Sequence, residues 1–254
     1  MTVSLFPSGP YVAAILGAGS GIGRAAAQHL TEHGVRVVAI DRDAAGAEET
    51  ASLVTKAGGK AMAYAADATN DAEIRACLAM AEKDSGGLQA LINCAAITGK
   101  TNVKAHDVDL DDFDRVYRIN LRAALVASQA VLPAMLERGY GRILHVASIA
   151  GKDGNAGMAA YSATKAGLIG LVKSMGKDYA TTGVTVNALA PAVIRTPMVA
   201  ALPQATIDYM TAKIPMGRTG TLDEAAAMIA WIVSPACSFT TGFTFDLTGG
   251  RATY

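Results

Sequence analysis

Residues Tyr11-Val12-Ala13-Ala14-Ile15-Leu16-Gly17-Ala18-Gly19-Ser20-Gly21-Ile22-Gly23 form an apolar run of strand length that breaks into glycines. A run with no polar face fits a strand buried on both sides of a parallel sheet. Glycines at 17, 21 and 23 permit a tight turn and close backbone approach. The helix predicted to follow presents free N–H groups and the positive end of its dipole. A turn of this kind suits a diphosphate, so Gly17, Ser20, Gly21, Ile22 and Gly23 are candidate contacts to a dinucleotide. Glycine-rich turns are also common as plain turns, and the position between strand and helix is what gives this one meaning.

The same alternation continues along the chain. Apolar runs recur at 35–40, 61–66, 88–93, 142–147, 184–189 and 243–247, and helix-length segments fill 23–33, 45–57, 71–83, 111–138, 159–179 and 222–233. With residues 11–16 this predicts an α/β fold: a Rossmann-type, doubly wound parallel sheet of about seven strands with helices on both faces. A length of 254 residues allows one large domain or two small ones. No linker, repeat or low-complexity segment divides the chain, which reads as one dinucleotide-binding domain over 1–254.

Composition narrows the partners. The 22 basic and 22 acidic residues cancel, and no basic stripe invites nucleic acid. Cys77, Cys94 and Cys237 are odd in number and far apart, which suits a reducing cytoplasm rather than a disulfide framework or a metal site. Residues 1–10 lack the charged start and apolar run of a signal peptide. The charge-free stretch 225–245 is long enough to span a bilayer, but Pro235 and Gly242 break it, so helix, loop and strand are expected and no membrane. His29-Leu30-Thr31-Glu32-His33 matches a zinc-binding pattern without a third ligand. His33 before Gly34 reads better as a helix-end residue favoured by the dipole. His106 and His145 have no evident partner.

The carboxyl ends of the strands carry the polar residues, where ligands bind in open α/β sheets. Asp41 stands 18 residues beyond Gly23. An acid there accepts hydrogen bonds from the adenosine ribose and repels a 2′-phosphate, favouring NAD over NADP. Arg42 beside it can stack on adenine or pair with a phosphate. Asp67 with Ala68, and Asn93 with Ala95, close the third and fourth strands as cofactor contacts or as ordinary turn residues. Ser148 ends the fifth strand, Tyr161 comes 13 residues later, and Lys165 four after that, on the same helix face. Oxidising an alcohol needs a hydride acceptor and a base. A free tyrosine, with a pKa near ~10, is a poor base at neutral pH. A cation at ~4 Å contributes on the order of 4 kcal/mol at an effective dielectric of 20, enough to lower that value by a few units.

These motifs, in this order, resemble the short-chain dehydrogenase/reductase family over nearly the whole chain. Gly17, Gly21 and Gly23 match its cofactor turn, Asn93-Cys94-Ala95-Ala96 its Asn-Asn-Ala-Gly segment, and Asn120, Ser148, Tyr161 and Lys165 its catalytic tetrad. The four-residue Tyr–Lys spacing differs from that of the enoyl-reductase branch. The resemblance implies that Tyr161 is the acid/base and that Ser148 holds the substrate oxygen. It implies that Lys165 binds the nicotinamide ribose and lowers the tyrosine pKa, and that Asn120 holds a water connecting Lys165 to solvent. Pro191, Val193, Ile194 and Thr196 would lie beside the nicotinamide, and a homotetramer is implied. Leu16, Cys94, Ala96 and Ala192 depart from the usual residues.

The substrate pocket is expected between Ala96, Ile97, Ala150, Lys152 and Asn155 and a mobile lid over 191–216 that carries Arg195. Lys152, Asn155 and Arg195 are polar for a steroid or fatty chain, and an arginine suits a carboxylate. The ending Asp246 to Tyr254 resembles a bacterial subgroup acting on sugars and deoxy-sugar acids. The expected reaction is therefore NAD-dependent interconversion of a secondary alcohol and a ketone on a sugar acid or polyol. The alternatives are a 3-oxoacyl thioester reductase, an epimerase or dehydratase, and a non-catalytic nucleotide sensor.

Overall fold

A computed structural model describes residues 5–200 and 203–254. Seven parallel strands form one sheet in the order β3-β2-β1-β4-β5-β6-β7. They are β1 (Val12–Leu16), β2 (Arg36–Asp41), β3 (Ala61–Ala65), β4 (Ala90–Asn93), β5 (Gly141–Val146), β6 (Val184–Pro191) and β7 (Thr244–Leu247). All five residues of β1 and all eight of β6 are buried, as their apolar character requires. Winding runs outward from β1 to β3, then returns to build β4 to β7 on the other side. The reversal between β1 and β4 opens a crevice at the strands' carboxyl ends.

Helices α1 (Gly21–Glu32), α2 (Ala44–Lys56), α3 (Asp71–Ser85), α4 (Leu110–Tyr117), α5 (Ala123–Arg138), α6 (Ala150–Asp153), α7 (Ala159–Asp178), α8 (Pro197–Ala200), α9 (Gln204–Thr211) and α10 (Leu222–Ile232) complete the described fold. Two cores sandwich the sheet. One gathers Ile74 and Leu78 of α3, Ala127 and Met135 of α5, and Leu168 and Val172 of α7. The other gathers Ala26 and Leu30 of α1, Val54 of α2, and Ile229 and Ile232 of α10. Local signals set the helix ends. The Asn70 side chain accepts from the N–H groups of Ala72 and Glu73, Thr221 and Glu224 form a capping box on α10, and Gly139 ends α5 at φ 64°.

Four expectations change in detail. Helix α1 starts at Gly21 rather than Gly23, after an extended Ser20. The expected helix 111–138 is split by a π turn over Arg118–Arg122. Asp67 and Ser148 sit in the turns just past β3 and β5. The lid contains two short helices, α8 and α9, and its residues 201 and 202 lie outside the described residues. The charge-free stretch 225–245 forms most of α10, a loop and the start of β7. Leu110–Arg138 is long and apolar enough to cross a membrane, and its α5 part packs on the sheet.

Candidate active site

The crevice beside β1 is a cleft of about 630 Å³ whose lining includes Gly17, Ser20, Gly21, Ile22, Gly23, Asp41, Arg42, Asp67, Ala68, Ala95 and Thr196. Its floor is backbone. A Cβ on Gly17, at φ 78°, would stand 2.6 Å from the Ala95 nitrogen, and one on Gly19 would stand 2.8 Å from Asp41 Cγ. Gly21 takes φ 51° below the Thr196 methyl group, which would lie 3.8 Å from an added Cβ. Ser20 is exposed and makes no capping bond, so α1 opens with free N–H groups. A backbone cradle at a helix N-terminus fits a dinucleotide diphosphate.

Both carboxylate oxygens of Asp41 are fixed by main chain. Gly19 N–H donates to Oδ2 at 2.9 Å, and Asp43 N–H to Oδ1 at 3.0 Å. The turn is braced from below by Arg24, which donates to Thr50 Oγ1 at 3.0 Å, to Glu49 Oε2 at 2.6 Å and to the Gly19 carbonyl. Thr50 in turn donates to the Ala18 carbonyl at 2.7 Å. Gly19, Arg24 and Thr50 were absent from the sequence-derived site. Gly19 is visible in the Gly-Ala-Gly-Ser-Gly-Ile-Gly run, whereas the side-chain partners of Arg24, Thr50 and Glu49, lie 26 and 25 residues away. The backbone N–H and hydroxyl of Thr69 hold the Asp67 carboxyl below its ordinary range, with the Arg42 charge adding to the effect. Asn93 is buried and accepts from Ala95 N–H at 3.2 Å, so its side chain shapes the 93–95 turn.

The tetrad residues converge on α7 and the end of β5. The Ser148 hydroxyl accepts from Ala150 N–H at 3.1 Å and lies on the Tyr161 phenol side, where it favours the ionised phenol. Lys165 is 2% exposed, donates to the Val146 carbonyl at 2.6 Å and lies 5.7 Å from the centre of the Tyr161 ring. Burial lowers the Lys165 pKa to about 8. Burial also raises Tyr161, with the Ser148 hydroxyl working the other way. The expected lowering of Tyr161 by Lys165 is therefore not seen, because the lysine points at a strand carbonyl and the phenol is poorly solvated. Asn120 is fully buried on the π turn. Its amide accepts from Ile97 N–H at 2.9 Å and donates to the Ile97 carbonyl at 2.9 Å, bracing the cleft wall. Burial pushes the Cys94 thiol on that wall up to about 12, leaving it neutral. His145, without a partner in sequence, pairs with Ser128 at 3.0 Å and is lowered by burial to about 3.

The three substrate candidates have different fates. Lys152 is paired with Asp246 at 2.9 Å, and the Asn155 amide oxygen accepts from Arg251 at 3.1 Å. Both are tied to the C-terminal segment, about 100 residues away in sequence. Arg195 is exposed, and its side chain has no partner among the described residues. Its backbone anchors the lid: Arg195 N–H donates to the Gly220 carbonyl at 2.8 Å, and Ile194 forms a bridge with Gly220. Val193 accepts from Gly220 N–H at 3.0 Å, and Pro191 accepts from Ile149 N–H at 3.0 Å. Among the described residues no cluster of three His, Cys, Asp or Glu side chains is placed to hold a metal. His29 instead pairs with Glu32 at 3.1 Å, and His33 caps α1.

A glycine cradle at the switch point, with Ser, Tyr and Lys gathered beside it, defines an oxidoreductase of the short-chain class. The chain belongs to the short-chain dehydrogenase/reductase family, and a family model described as enoyl-(acyl carrier protein) reductase matches residues 17–251. It is 42% identical over 95% of both chains to 2-dehydro-3-deoxy-L-rhamnonate dehydrogenase (NAD(+)) of Sphingomonas sp. (strain SKA58). It is 37% identical to the 3-oxoacyl-(acyl-carrier-protein) reductase FabG of Vibrio cholerae, over 94% of this chain and 96% of that protein. The crystal structure of an NAD+-bound xylitol dehydrogenase superposes with a TM-score of 0.90 at 29% identity, covering 94% of this chain and 98% of that one.

Proposed function

We propose that this protein is an NAD-dependent dehydrogenase that interconverts a secondary alcohol and a ketone on a small sugar acid or polyol. The observation that carries the cofactor reading is the Asp41 carboxylate, held by two backbone N–H groups beside the glycine turn. It offers an acceptor to ribose hydroxyls and sets a negative charge against a 2′-phosphate. The NAD in the name of the Sphingomonas relative, and the NAD+ in the xylitol dehydrogenase structure, agree with this. Bound NAD supplies the hydride acceptor. Residues of the chain do the rest. Ser148 and Tyr161 present adjacent hydroxyls to the reacting oxygen, and the Tyr161 phenol holds the proton that leaves the alcohol. Lys165, with its affinity for protons brought down by burial, supports that transfer from beneath the ring. Asn120 keeps the 97 wall in place.

The substrate reading leans on Arg195, an exposed cation on the lid over 191–216 whose side chain has no partner among the described residues. A guanidinium suits a carboxylate, and the substrate named for the Sphingomonas relative is an acid. A panel of sugar acids, neutral polyols and 3-oxoacyl thioesters, followed by NADH absorbance, tests it. Preferred turnover of 2-dehydro-3-deoxy-L-rhamnonate supports the reading, and preferred turnover of thioesters replaces it with the reductase reading that the Vibrio relative suggests. We further propose a cytoplasmic homotetramer. Leu110 is 75% exposed, and Tyr117, Leu125 and Leu136 are also exposed on α4 and α5, apolar surface that a second copy would cover. Light scattering in solution reads the assembly directly.

A further inference from the structure

The C-terminal turn reaches both sides of the substrate cleft. Past β7, the Thr248 hydroxyl accepts from Ala252 N–H at 3.2 Å and closes a turn in which Gly249 and Gly250 take φ 59° and 89°. Their missing side chains admit the end of the lid. A Cβ on Gly249 would stand 2.6 Å from Ile214, and Met216 N–H donates to the Gly249 carbonyl at 3.1 Å. The same segment holds the connection between Ser148 and Tyr161. Arg251, with a side chain only 13% exposed, pairs with Asp153 at 3.3 Å and donates to Asn155 at 3.1 Å. Asp246 pairs with Lys152 at 2.9 Å, and the Tyr254 hydroxyl donates to the Lys152 carbonyl at 3.1 Å. The inner side of that connection rests on α7, where a Cβ on Gly151 would stand 2.6 Å from the Lys165 carbonyl carbon. Residues 150–155 are thus wedged between the helix that bears Tyr161 and Lys165 and the C-terminal turn.

We propose that Arg251 and Asp246 are positioning residues that set the Ser148–Tyr161 connection and the lid relative to each other, and so govern how tightly the alcohol or ketone is held. The planar fork of Arg251 spans two acceptors on one loop, which a lysine cannot match. Low exposure keeps both ion pairs from being screened away by salt. The dinucleotide end is braced by a separate set, Arg24, Thr50, Asp41 and Asn120, none of which contacts this turn through a hydrogen bond or ion pair. Substrate affinity and cofactor affinity therefore separate in the variants.

This inference rests on the cleft being an alcohol/ketone site, so the test has an arm that needs no substrate. Hydrogen exchange is measured over 150–158 and 209–217 in the full chain, in Arg251→Ala, in Arg251→Lys and in Asp153→Asn. Both segments should exchange faster in Arg251→Ala, with Arg251→Lys in between. With 2-dehydro-3-deoxy-L-rhamnonate as probe, Arg251→Ala should raise KM by about tenfold or more, as the loop and lid lose their shared geometry, while NAD affinity by calorimetry stays within about twofold. Unchanged exchange over 209–217 overturns the coupling. A fall in NAD affinity as large as the change in KM also overturns it, since general loosening would move both. If the wild-type chain does not turn over the probe, the sugar-acid reading fails and the exchange arm alone decides the inference. Should Arg251→Ala not fold, Asp153→Asn together with Asn155→Ala removes the same bonds from the other side and must give the same pattern.

Discussion

Replacing Lys165 by methionine should make the protein more stable while abolishing its activity. The ammonium is buried at 2% exposure, and burial takes its pKa from the ordinary 10.5 to about 8. At pH 7 the folded chain therefore keeps a charge where it is poorly solvated, and a drop of that size costs about 3 kcal/mol of stability. Methionine has similar length and no charge. It leaves the Val146 carbonyl without its 2.6 Å donor, a loss of about 1 kcal/mol. The net gain is about 2 kcal/mol, or a rise in Tm of about 4–8 °C for a domain of this size. The pH dependence carries the same signature. Between pH 8 and 10.5 the unfolded lysine is protonated while the folded one is losing its proton. The unfolded state then binds more protons, and wild-type stability rises with pH across that window. The Lys165→Met protein should lack that rise. Thermal unfolding of both proteins at pH 7 and through pH 8 to 10.5 is the assay. A variant no more stable than wild type at pH 7, or an equal pH slope in both, refutes the reasoning.

Tyr161→Phe keeps the ring and removes the ionisable oxygen, so turnover should be almost lost with NAD affinity little changed; turnover within about threefold of wild type, a small fraction of what an acid/base contributes, would remove Tyr161 from that role. Asp41→Ser deletes the charge beside the glycine turn. The wild type should prefer NAD in kcat/KM, and the variant should narrow that preference by about tenfold or more, since a charge at ~4 Å contributes up to about 4 kcal/mol at an effective dielectric of 20 and solvent at the half-exposed Asp41 screens part of it. Equal use of both cofactors by the wild type points to Arg42 instead. Arg195→Ala should cost roughly 10- to 150-fold in kcat/KM on an acid substrate and far less on a neutral polyol. An equal loss on both would mean that Arg195 only stiffens the lid.

The sheet could be read from the sequence because its central strands are mostly apolar and buried on both faces, β1 entirely so, and their short runs are bounded by turn residues. Its seven runs fall within a residue or two of the strands formed. The glycine turn and the placing of Tyr161 and Lys165 on one helix could be read for a related reason: each is local, one turn and one helix. What could not be read is long-range. Lys152 and Asn155 look free for substrate until the chain returns at Asp246 and Arg251 to claim them. The direction of Lys165 depends on Val146, on a strand rather than on its own helix. The π turn at Arg118–Arg122 leaves the apolar pattern of 111–138 looking continuous, so nothing in the residue types marks Asn120 as lying on it.

That π turn also fixes an evolutionary constraint. A π bulge amounts to one extra residue in an α-helix, and each residue turns the axis by about 100°. Deleting a residue within 118–122 would regularise the helix. It would also swing the stripe of Ala123, Ala127, Val131 and Met135 off the sheet, or else carry Asn120 away from Ile97. Either outcome damages the molecule at once, in its core or at its cleft. Length in this one turn can therefore drift far less freely than sequence can, and descendants of this chain should vary the side chains around Asn120 long before they lose the bulge itself.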